Sequence, residues 1–374
     1  MNPRAFFIAS TGQHVGKTTT SLGLLAGLST RFSSVGFIKP IGQESMETPS
    51  GHQVDKDVLL VKDHFSLLDD PTAMSPVLFP RGFTRSYLDG QINSRDLSAK
   101  IERSFQAIAA RHPCVVIEGT GHVGVGSIVN LSNAKVASLL GVPVILIASG
   151  GLGSSFDALC LNKVLCDHKN VKVAGIILNR VLQEKKEMVV HYMKKALARW
   201  NLPLLGCIPF DPFLSKPSMK DFEILFTSTL LSGEKFHFRY FRHTRLVATS
   251  LKNFRSLILS NQLIITPANR EDIVLAVLSK HCELQAAGIS GGLEAGLILT
   301  GNAAPRQTLV DALKKADIPM LHAPVSSYQA MEMITSYTVK IRTGDREKVK
   351  EAIDLAAHHI NFEMLIDVTQ LGNL

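Results

Sequence analysis

The sequence predicts two α/β domains, and the first of them, residues 1–212, is expected to contain a doubly wound, mostly parallel sheet. The chain has 374 residues, which exceeds one typical domain and suffices for two that each bury a core. Along residues 1–212, short continuous apolar runs rich in β-branched residues alternate with helical patterns. Continuous runs of this kind are typical of parallel strands covered on both faces.

The apolar runs place the strands of the first domain. We predict strands at residues 6–9, 35–38, 114–117, 142–147, 173–178 and 204–208. Helical patterns separate them at about 17–32, 97–110, 133–140, 156–166 and 184–200. The alternation implies right-handed crossovers, with the second strand expected beside the first. Ligands of such sheets bind beyond the carboxyl ends of the strands, so functional residues are expected in the loops there.

Residues 213–374 predict a second, smaller α/β domain. Its expected strands are 263–266, 296–299 and 319–322, and its expected helices are 270–279, 307–315 and 346–359. Two polar segments, 300–302 and 326–328, follow strand ends, where a small ligand could bind. We favour turns with helix caps at both, with Ser326 or Ser327 as a cap.

Charge and composition argue against nucleic acid as a partner. The formal net charge is +8, but the basic residues are spread along the chain. Their densest run, 185–195, has helical spacing and adjoins or includes Glu184 and Glu187, which is typical of a solvated helix face. The aromatic residues are mostly isolated phenylalanines and form no interleaved stacking platform.

The cysteines and the N-terminal segment predict a cytoplasmic protein. The five cysteines are Cys114, Cys160, Cys166, Cys207 and Cys282. They form no C-x-x-C pair and no set with zinc spacing, so we expect reduced thiols. The start of the chain lacks the longer apolar region and small-residue cleavage site of a signal peptide. No segment approaches the roughly 20 apolar residues that span a bilayer, so no membrane partner is expected.

A glycine-containing loop lies between the first predicted strand and the first predicted helix. It reads Ser10-Thr11-Gly12-Gln13-His14-Val15-Gly16-Lys17-Thr18-Thr19. Small residues let backbone N–H groups turn toward phosphate oxygens, and the start of a helix favours anions. Lys17 can reach the β- and γ-phosphates, and the Thr18 hydroxyl can bind Mg²⁺. The pattern is that of a P-loop, although Thr11 stands where the usual spacing has Gly. The alternative is a tight turn with a solvent-exposed lysine.

Carboxylates near the same sheet edge are candidates for a magnesium site. Glu118 ends the third predicted strand, where a metal-binding acid of a P-loop protein is expected, although a surface or capping carboxylate is the alternative. Asp55 and Asp57 precede an apolar helical stretch, and N-capping is the favoured interpretation from position alone. Lys39 ends the second strand, an unusual place for a surface lysine. His122, in the glycine-rich loop after Glu118, receives no role.

Residues 1–212 resemble the dethiobiotin synthetase/cobyrinic acid a,c-diamide synthase family of P-loop proteins. The matching segments are 11–18, Lys39-Pro40, Asp57, Glu118-Gly119-x-Gly121, Asn179 and Gly206-Cys207-Ile208-Pro209. The resemblance implies a P-loop NTPase sheet that binds ATP and Mg²⁺. The sequence departs from the family at Ser10, where the family has Gly, and at His14, where dethiobiotin synthetases carry an acid.

The resemblance also implies a role for each matching residue. The nucleotide-binding residues are Gly12, Gln13, His14, Val15, Gly16, Lys17, Thr18, Thr19, Asn179 and Pro209. Within that set Asn179 recognises adenine. The implied metal ligands are Thr18, Asp57 and Glu118, with Asp55 in reserve. Lys17 and Lys39 are the implied catalytic residues, and Lys39 contacts a substrate carboxylate or phosphate.

Residues 213–374 resemble the DRTGG domain. The matching segments are 214–219, 265–273, 296–301, 318–321 and 343–346, with Asn269-Arg270 in place of the usual Asp-Arg and Asn302 in place of a second Gly. A P-loop domain followed by a DRTGG domain is the order of the N-terminal half of long-form phosphotransacetylases. The chain ends at Leu374, before an acetyltransferase domain would fit.

Two functions from different classes are compatible with these features. The favoured one is a regulatory nucleotide-binding protein or slow ATPase. The alternative is an ATP-dependent C–N ligase that phosphorylates a carboxylate or carbamate, in which Lys39 holds the acceptor while Lys17 and Mg²⁺ neutralise the transferred phosphoryl group. The expected partners are a nucleotide, a small carboxylate or amine substrate for a ligase, and a second copy of the chain in a homodimer.

Overall fold

The computed structural model describes residues 4–371 and divides into two compact units. The first unit contains the residues up to Leu214 together with those from Ile341 onward, and the second runs from Ser215 to Lys340. Over the described residues, no helix combines the length and the apolar character that crossing a membrane requires.

Between residues 4 and 214, the first unit contains ten strands and eight α-helices. Its strands are β1 Ala5–Ser10, β2 Val35–Ile38, β3 Ile41–Gly42, β4 Ser45–Glu47, β5 Gln53–Asp55, β6 Val77–Leu78, β7 Cys114–His122, β8 Val144–Ser149, β9 Val173–Val181 and β10 Leu204–Pro209. Its helices there are α1 Lys17–Ser29, α2 Lys56–Phe65, α3 Pro71–Met74, α4 Phe83–Leu88, α5 Ser94–Ala109, α6 Asn133–Leu140, α7 Gly153–His168 and α8 Lys186–Ala198.

Six of these strands form one parallel sheet in the order β10-β9-β8-β1-β7-β2. The predicted parallel α/β sheet is therefore confirmed, and each of its strands lies on a predicted one. The expectation that the second strand lies beside the first is wrong, because β7 pairs with both β1 and β2 and separates them. The order in which successive strands are added to the sheet therefore reverses next to β1, which is where the ligand crevice of such sheets opens.

Burial on both faces explains why the strands read as continuous apolar runs. Phe6, Phe7 and Ile8 of β1 expose 0–1% of their surface, although consecutive strand side chains point to opposite faces. Burying such a side chain stabilises the fold by about 1.5–3 kcal/mol. Side chains on both faces of β1 are therefore packed in the core, and the loop that follows the strand begins from this packed segment.

The region between β2 and β7 departs most from the predicted elements. The strands β3 and β6 pair in parallel and β4 and β5 pair antiparallel, each as a separate two-stranded sheet. They contain two or three residues each, which is too short for a periodic pattern to show. This region supplies Asp55 and Asp57 at the junction of β5 and α2.

The second unit contains five strands and five helices. They are α9 Met219–Leu225, β11 Leu230–Ser232, β12 His243–Leu246, α10 Leu251–Arg255, β13 Gln262–Pro267, α11 Glu271–Ala286, β14 Gly296–Thr300, α12 Gln307–Lys315, β15 Met320–Ala323 and α13 Ser327–Ser336. The sheet order is β11-β15-β14-β13-β12, parallel except for β11. The predicted smaller α/β domain is confirmed. Ser326 caps α13 with a capping box to Gln329, as predicted from the sequence.

Two C-terminal helices complete the first unit. They are α14 Arg346–His359 and α15 Phe362–Thr369. Two glycines of α1 allow these helices to approach it closely. A Cβ at Gly23 would lie 2.2 Å from Ala356 Cβ, and one at Gly27 would lie 2.0 Å from the Phe362 ring. The expected range of the second domain, 213–374, therefore differs from the structure. Residues from Ile341 onward belong to the first unit because their apolar side chains are buried against α1 and β10.

The five cysteines are free, in agreement with the expected reduced thiols. Three are buried, and burial raises the pKa of the Cys114 and Cys166 thiols to about 12. Since the thiolate is the reactive form, these two side chains behave as small apolar groups. Cys160 and Cys282 are exposed.

Candidate nucleotide-binding site

The loop between β1 and α1 presents the bare start of a helix. Gly16 occupies the N-cap position with φ 94°, and within the described residues no side chain caps the helix. A non-glycine residue is strained at this φ, and its Cβ would also lie 2.1 Å from Asn179 Nδ2. The uncapped N–H groups and the helix dipole together favour an anion at this point.

The Lys17 side chain is held back over its own loop. Its Nζ donates to Ser10 Oγ at 2.9 Å, and Ser10 Oγ lies 2.6 Å from Gly12 O and 3.0 Å from Gly121 O. Burial lowers the pKa of Lys17 to about 8, against the opposing attraction of Glu118. Ser10, where the resembled family has Gly, is thus the residue that positions the loop lysine, a role that the motif did not indicate.

Asn179 holds the loop through a hydrogen bond to the loop backbone. Its Nδ2 donates to Val15 O at 2.8 Å, its Oδ1 accepts from Arg180 N at 2.8 Å, and the residue is 3% exposed. Arg180 adds a bond from Nη1 to His14 O at 3.3 Å. These contacts give Asn179 a positioning role, and its adenine contact stays a prediction. Pro209, at the end of β10, is half-buried.

Polar residues at the carboxyl ends of β2 and β5, together with Glu118 inside β7, form one buried cluster around Lys39. Lys39 Nζ contacts Asp57 Oδ2, lies 3.0 Å from Asp55 Oδ1 and lies 3.7 Å from Glu118 Oε1. All four residues are at least nine-tenths buried. The sequence placed each of them near this edge, and the structure brings them into direct contact around one ammonium group.

Burial and mutual charge shift the pKa values of the cluster in opposite directions. Burial raises the pKa of Glu118 to about 7, with Lys39 opposing and Asp57 reinforcing the shift. Burial also raises the pKa of Asp55. For Asp57 burial acts in the same sense, but the Lys39 charge and hydrogen bond outweigh it and hold the pKa below its usual range. Burial alone would lower the pKa of Lys39, and the three acids together raise it.

The predicted N-capping role is confirmed for Asp55, which also contacts Lys39. It is the N-cap of α2, where its Oδ1 accepts from Asp57 N at 2.9 Å, and it contacts Lys39 from the same position. Glu118 does not end its strand, because β7 continues to His122. The register of β7 against β1 shifts between Ile8, which pairs with Glu118, and Ser10, which pairs with His122, so residues 119–121 form an irregularity beside the end of β1. His122 is exposed, and its Nδ1 accepts from Gly124 N at 3.1 Å within a local turn.

The donor set fits a magnesium ion only with help from a ligand. Carboxylate and hydroxyl oxygens are what Mg²⁺ prefers, and Thr18, Asp57 and Glu118 supply them. Glu118 Oε2 is buried and, within the described part of the chain, has no hydrogen-bond partner, so a cation would satisfy it. Over the same residues no three His, Cys, Asp or Glu side chains are grouped to hold a metal on their own. Phosphate oxygens would have to complete the coordination.

Two asparagines hold the neighbouring loops, and neither lies in a recognisable sequence motif. Asn133 Nδ2 donates to Thr120 O at 2.8 Å and to His122 O at 2.7 Å. Asn162 Oδ1 accepts from Val123 N at 3.1 Å, and its Nδ2 donates to Thr11 O at 3.3 Å. Both are helical residues whose partners are distant in sequence. Only the folded arrangement identifies them as supports of the site.

Two protein-family models match the chain. An AAA domain matches residues 4–218 and a DRTGG domain matches residues 224–337. The chain belongs to the AAA domain family of P-loop proteins. Over its length it matches the N-terminal half of long-form phosphate acetyltransferases. The enzyme of Pseudomonas putida KT2440 is 30% identical in an alignment 373 positions long that covers 96% of this chain and 51% of that enzyme. That of Nitrosomonas europaea is 26% identical, with the same shares. The chain thus spans about half the length of the curated relatives it matches.

Among solved structures, the similarity is distant. The cell-division protein MinD of Aquifex aeolicus is 14% identical, with a TM-score of 0.35 that covers 56% of this chain and 84% of that one. The CBS and DRTGG regulatory region of Clostridium perfringens pyrophosphatase is 13% identical, with a TM-score of 0.28 over 53% of this chain and 76% of that one. Similarities at this level carry no conclusion about function.

Proposed function

We propose that this protein binds ATP with Mg²⁺ and acts as a regulatory nucleotide-binding protein or slow ATPase. One observation carries the proposal: the Lys17 ammonium lies 2.9 Å from Ser10 Oγ beside the uncapped start of α1, and the buried acids stand close enough to act on its charge. A nucleoside triphosphate supplies what this arrangement lacks, which is a compact polyanion that can also share a metal.

The residues of the loop divide the work of binding. Backbone N–H groups of 12–16 and the start of α1 receive phosphate oxygens, while Lys17 exchanges its bond to Ser10 for one to phosphate. Thr18, Asp57 and Glu118 hold Mg²⁺, which would neutralise phosphate charge when bound. Asn179 keeps the loop in shape through Val15 O. Asn179 and Pro209 remain our candidates for the face that meets adenine.

Lys39 supports the regulatory function over the ligase alternative. In a ligase of the dethiobiotin synthetase type, Lys39 would hold the acceptor substrate. Here its ammonium is already surrounded by Asp55, Asp57 and Glu118, and the residue is 6% exposed. A lysine so engaged neutralises the acids and leaves little charge for a second anion.

The C-terminal helices offer a route by which nucleotide could affect the rest of the chain. Helix α1 begins at the phosphate-binding loop, and its Gly23 and Gly27 face Ala356 and Phe362 of the returning segment. Since tightly packed helices transmit displacement, a shift of α1 on binding is passed to α14, which directly follows the second unit in sequence. We propose that this coupling controls a partner in acetyl-phosphate metabolism, in a cytoplasmic homodimer.

Calorimetry and turnover measurements test the proposal. We expect ATP to bind in the presence of Mg²⁺ and more weakly in EDTA, because the acids need a cation once phosphate approaches. Turnover is then measured with ATP alone and with small amino acids or dicarboxylates. Little or no ATP turnover, with no change when any of these compounds is added, supports the regulatory function. Stimulation by one compound identifies a ligase, and the absence of ATP binding refutes both.

A further inference from the structure

The first unit contains an open groove of about 860 Å³ that none of the nucleotide-site residues lines. Its walls are one face of α8, the first part of β10 with the turn before it, and the end of α14 together with the following turn and one face of α15. The volume lies within the roughly 300–1,000 Å³ typical of small-molecule sites. The P-loop follows the carboxyl end of its strand, whereas this groove adjoins the start of β10.

The titratable nitrogen-bearing side chains that line the groove are basic. Lys194, His358 and His359 line it, and none of its lining residues, all within the described part of the chain, is Asp or Glu. The floor is apolar, with Leu205 and Cys207 of β10 almost fully buried. The Lys194 ammonium above an apolar floor complements a ligand that has an anionic head and an apolar body.

The two histidines leave the same ring atom for a ligand. His358 Nδ1 lies 2.6 Å from Asp354 O and His359 Nδ1 lies 2.8 Å from Leu355 O. A carbonyl oxygen can only accept, so both Nδ1 atoms carry hydrogen and donate. Each Nε2 is then the atom that can meet a ligand, and it donates when the ring is protonated.

The strand edge in the groove is already partly occupied. Gly206 of β10 forms an antiparallel bridge with Ile360, and Asn361 N donates to Leu205 O at 2.8 Å. An extended peptide that adds to a sheet needs a continuous row of free backbone groups, which β10 does not offer here. The contacts of the returning segment therefore favour a small molecule over a peptide strand.

We propose that this groove binds a small amphipathic anion, a carboxylate carried on an apolar chain. The carboxylate meets Lys194, and it also accepts from the Nε2 atoms of His358 and His359 when those rings are protonated, while the chain lies over Leu205 and Cys207. Met364 at the rim is exposed by 38% and has the flexibility to adapt to chains of different length. The proposal does not depend on nucleotide binding.

The test is calorimetry of the full chain with octanoate below its micellar range. We expect saturable binding at one site, with 1-octanol, which lacks the charge, binding more weakly. Lys194→Gln should weaken octanoate binding about 3–5-fold, the effect of one exposed ion pair. Ala198→Trp, which fills the groove from α8, should weaken it at least about 10-fold. Lys195→Gln is the matched control, because Lys195 is exposed one position along α8 and does not line the groove.

Several results would overturn the proposal. They are no octanoate binding to the wild-type chain, equal losses from Lys194→Gln and Lys195→Gln, and unchanged binding to a folded Ala198→Trp variant. Preferential binding of an acidic peptide over octanoate also contradicts it. Circular dichroism melts check that each variant is folded, and Lys194→Gln keeps the test decisive if Ala198→Trp does not fold.

Discussion

Replacing Lys39 by methionine tests whether the buried cluster depends on its central charge. Lys39 contacts Asp57 and lies within 3.7 Å of Asp55 and Glu118, and the cluster is almost fully buried. Removing one partner of a buried ion pair leaves uncompensated charge and costs about 3–5 kcal/mol. We expect Lys39→Met to lower the free energy of unfolding of the first unit by that amount at pH 8 without Mg²⁺.

The single tryptophan makes this measurement specific to the first unit. Trp200 stacks on Phe156, with ring centroids 4.3 Å apart, and both lie in that unit. Urea unfolding followed by Trp200 fluorescence therefore reports the unit that contains the cluster. Lys56→Met is the matched control, because the Lys56–Glu44 pair is partly exposed. Loss of this ion pair should lower the free energy of unfolding by no more than about 1 kcal/mol.

The pH dependence gives the prediction a sign. In the wild type Lys39 holds the pKa of Asp57 below its usual range, so this stabilisation is present at neutral pH and is lost only as pH falls through that lowered pKa. Without Lys39, the buried acids take up protons more readily as pH falls, which relieves their repulsion. The cost of Lys39→Met should therefore shrink between pH 8 and pH 5. A cost below about 1 kcal/mol at pH 8, or one equal to that of Lys56→Met, refutes the assigned role.

Three further predictions concern neighbouring contacts. Glu118→Gln should reduce the decrease in unfolding free energy between pH 5 and pH 8. The pKa of Glu118 is raised to about 7 in the folded protein, so its contribution to stability is full below its usual pKa and is lost as pH rises through 7. An unchanged pH profile contradicts this. Asn179→Ala should weaken ATP binding in calorimetry and cost about 1–3 kcal/mol, because Val15 O loses its buried partner. Phe362→Ala should lower the stability reported by Trp200 by about 3–5 kcal/mol, whereas a C-terminal segment that packs independently of α1 predicts no change.

The sequence predicts the sheet and the loop well because both leave local signals. Continuous apolar runs mark strands buried on two faces, and the loop's glycines, Lys17 and Thr18 stand next to one another in the chain. The strand order is not local. That β7 lies between β1 and β2 follows from long-range pairing, which no run of residues records.

The rest of the site depends on contacts between distant residues. Lys39 and Glu118 are recognisable as candidates from their strand ends, but only the fold shows one ammonium among three acids. Ser10 reads as a departure from a motif, and its contact with Lys17 gives it a positioning role. The segment from Ile341 onward has helical signals, yet its packing on α1 is visible only where Gly27 meets Phe362.

Calorimetry of Lys17→Ala with MgATP tests the central claim most directly. The claim is that backbone amides at the start of α1, together with this ammonium group, bind the triphosphate. Lys185→Ala, an exposed lysine before α8, is the control and should bind MgATP as the wild type does. We predict that Lys17→Ala shows no measurable binding heat while its Trp200 unfolding transition is retained. Wild-type affinity in Lys17→Ala would contradict the claim.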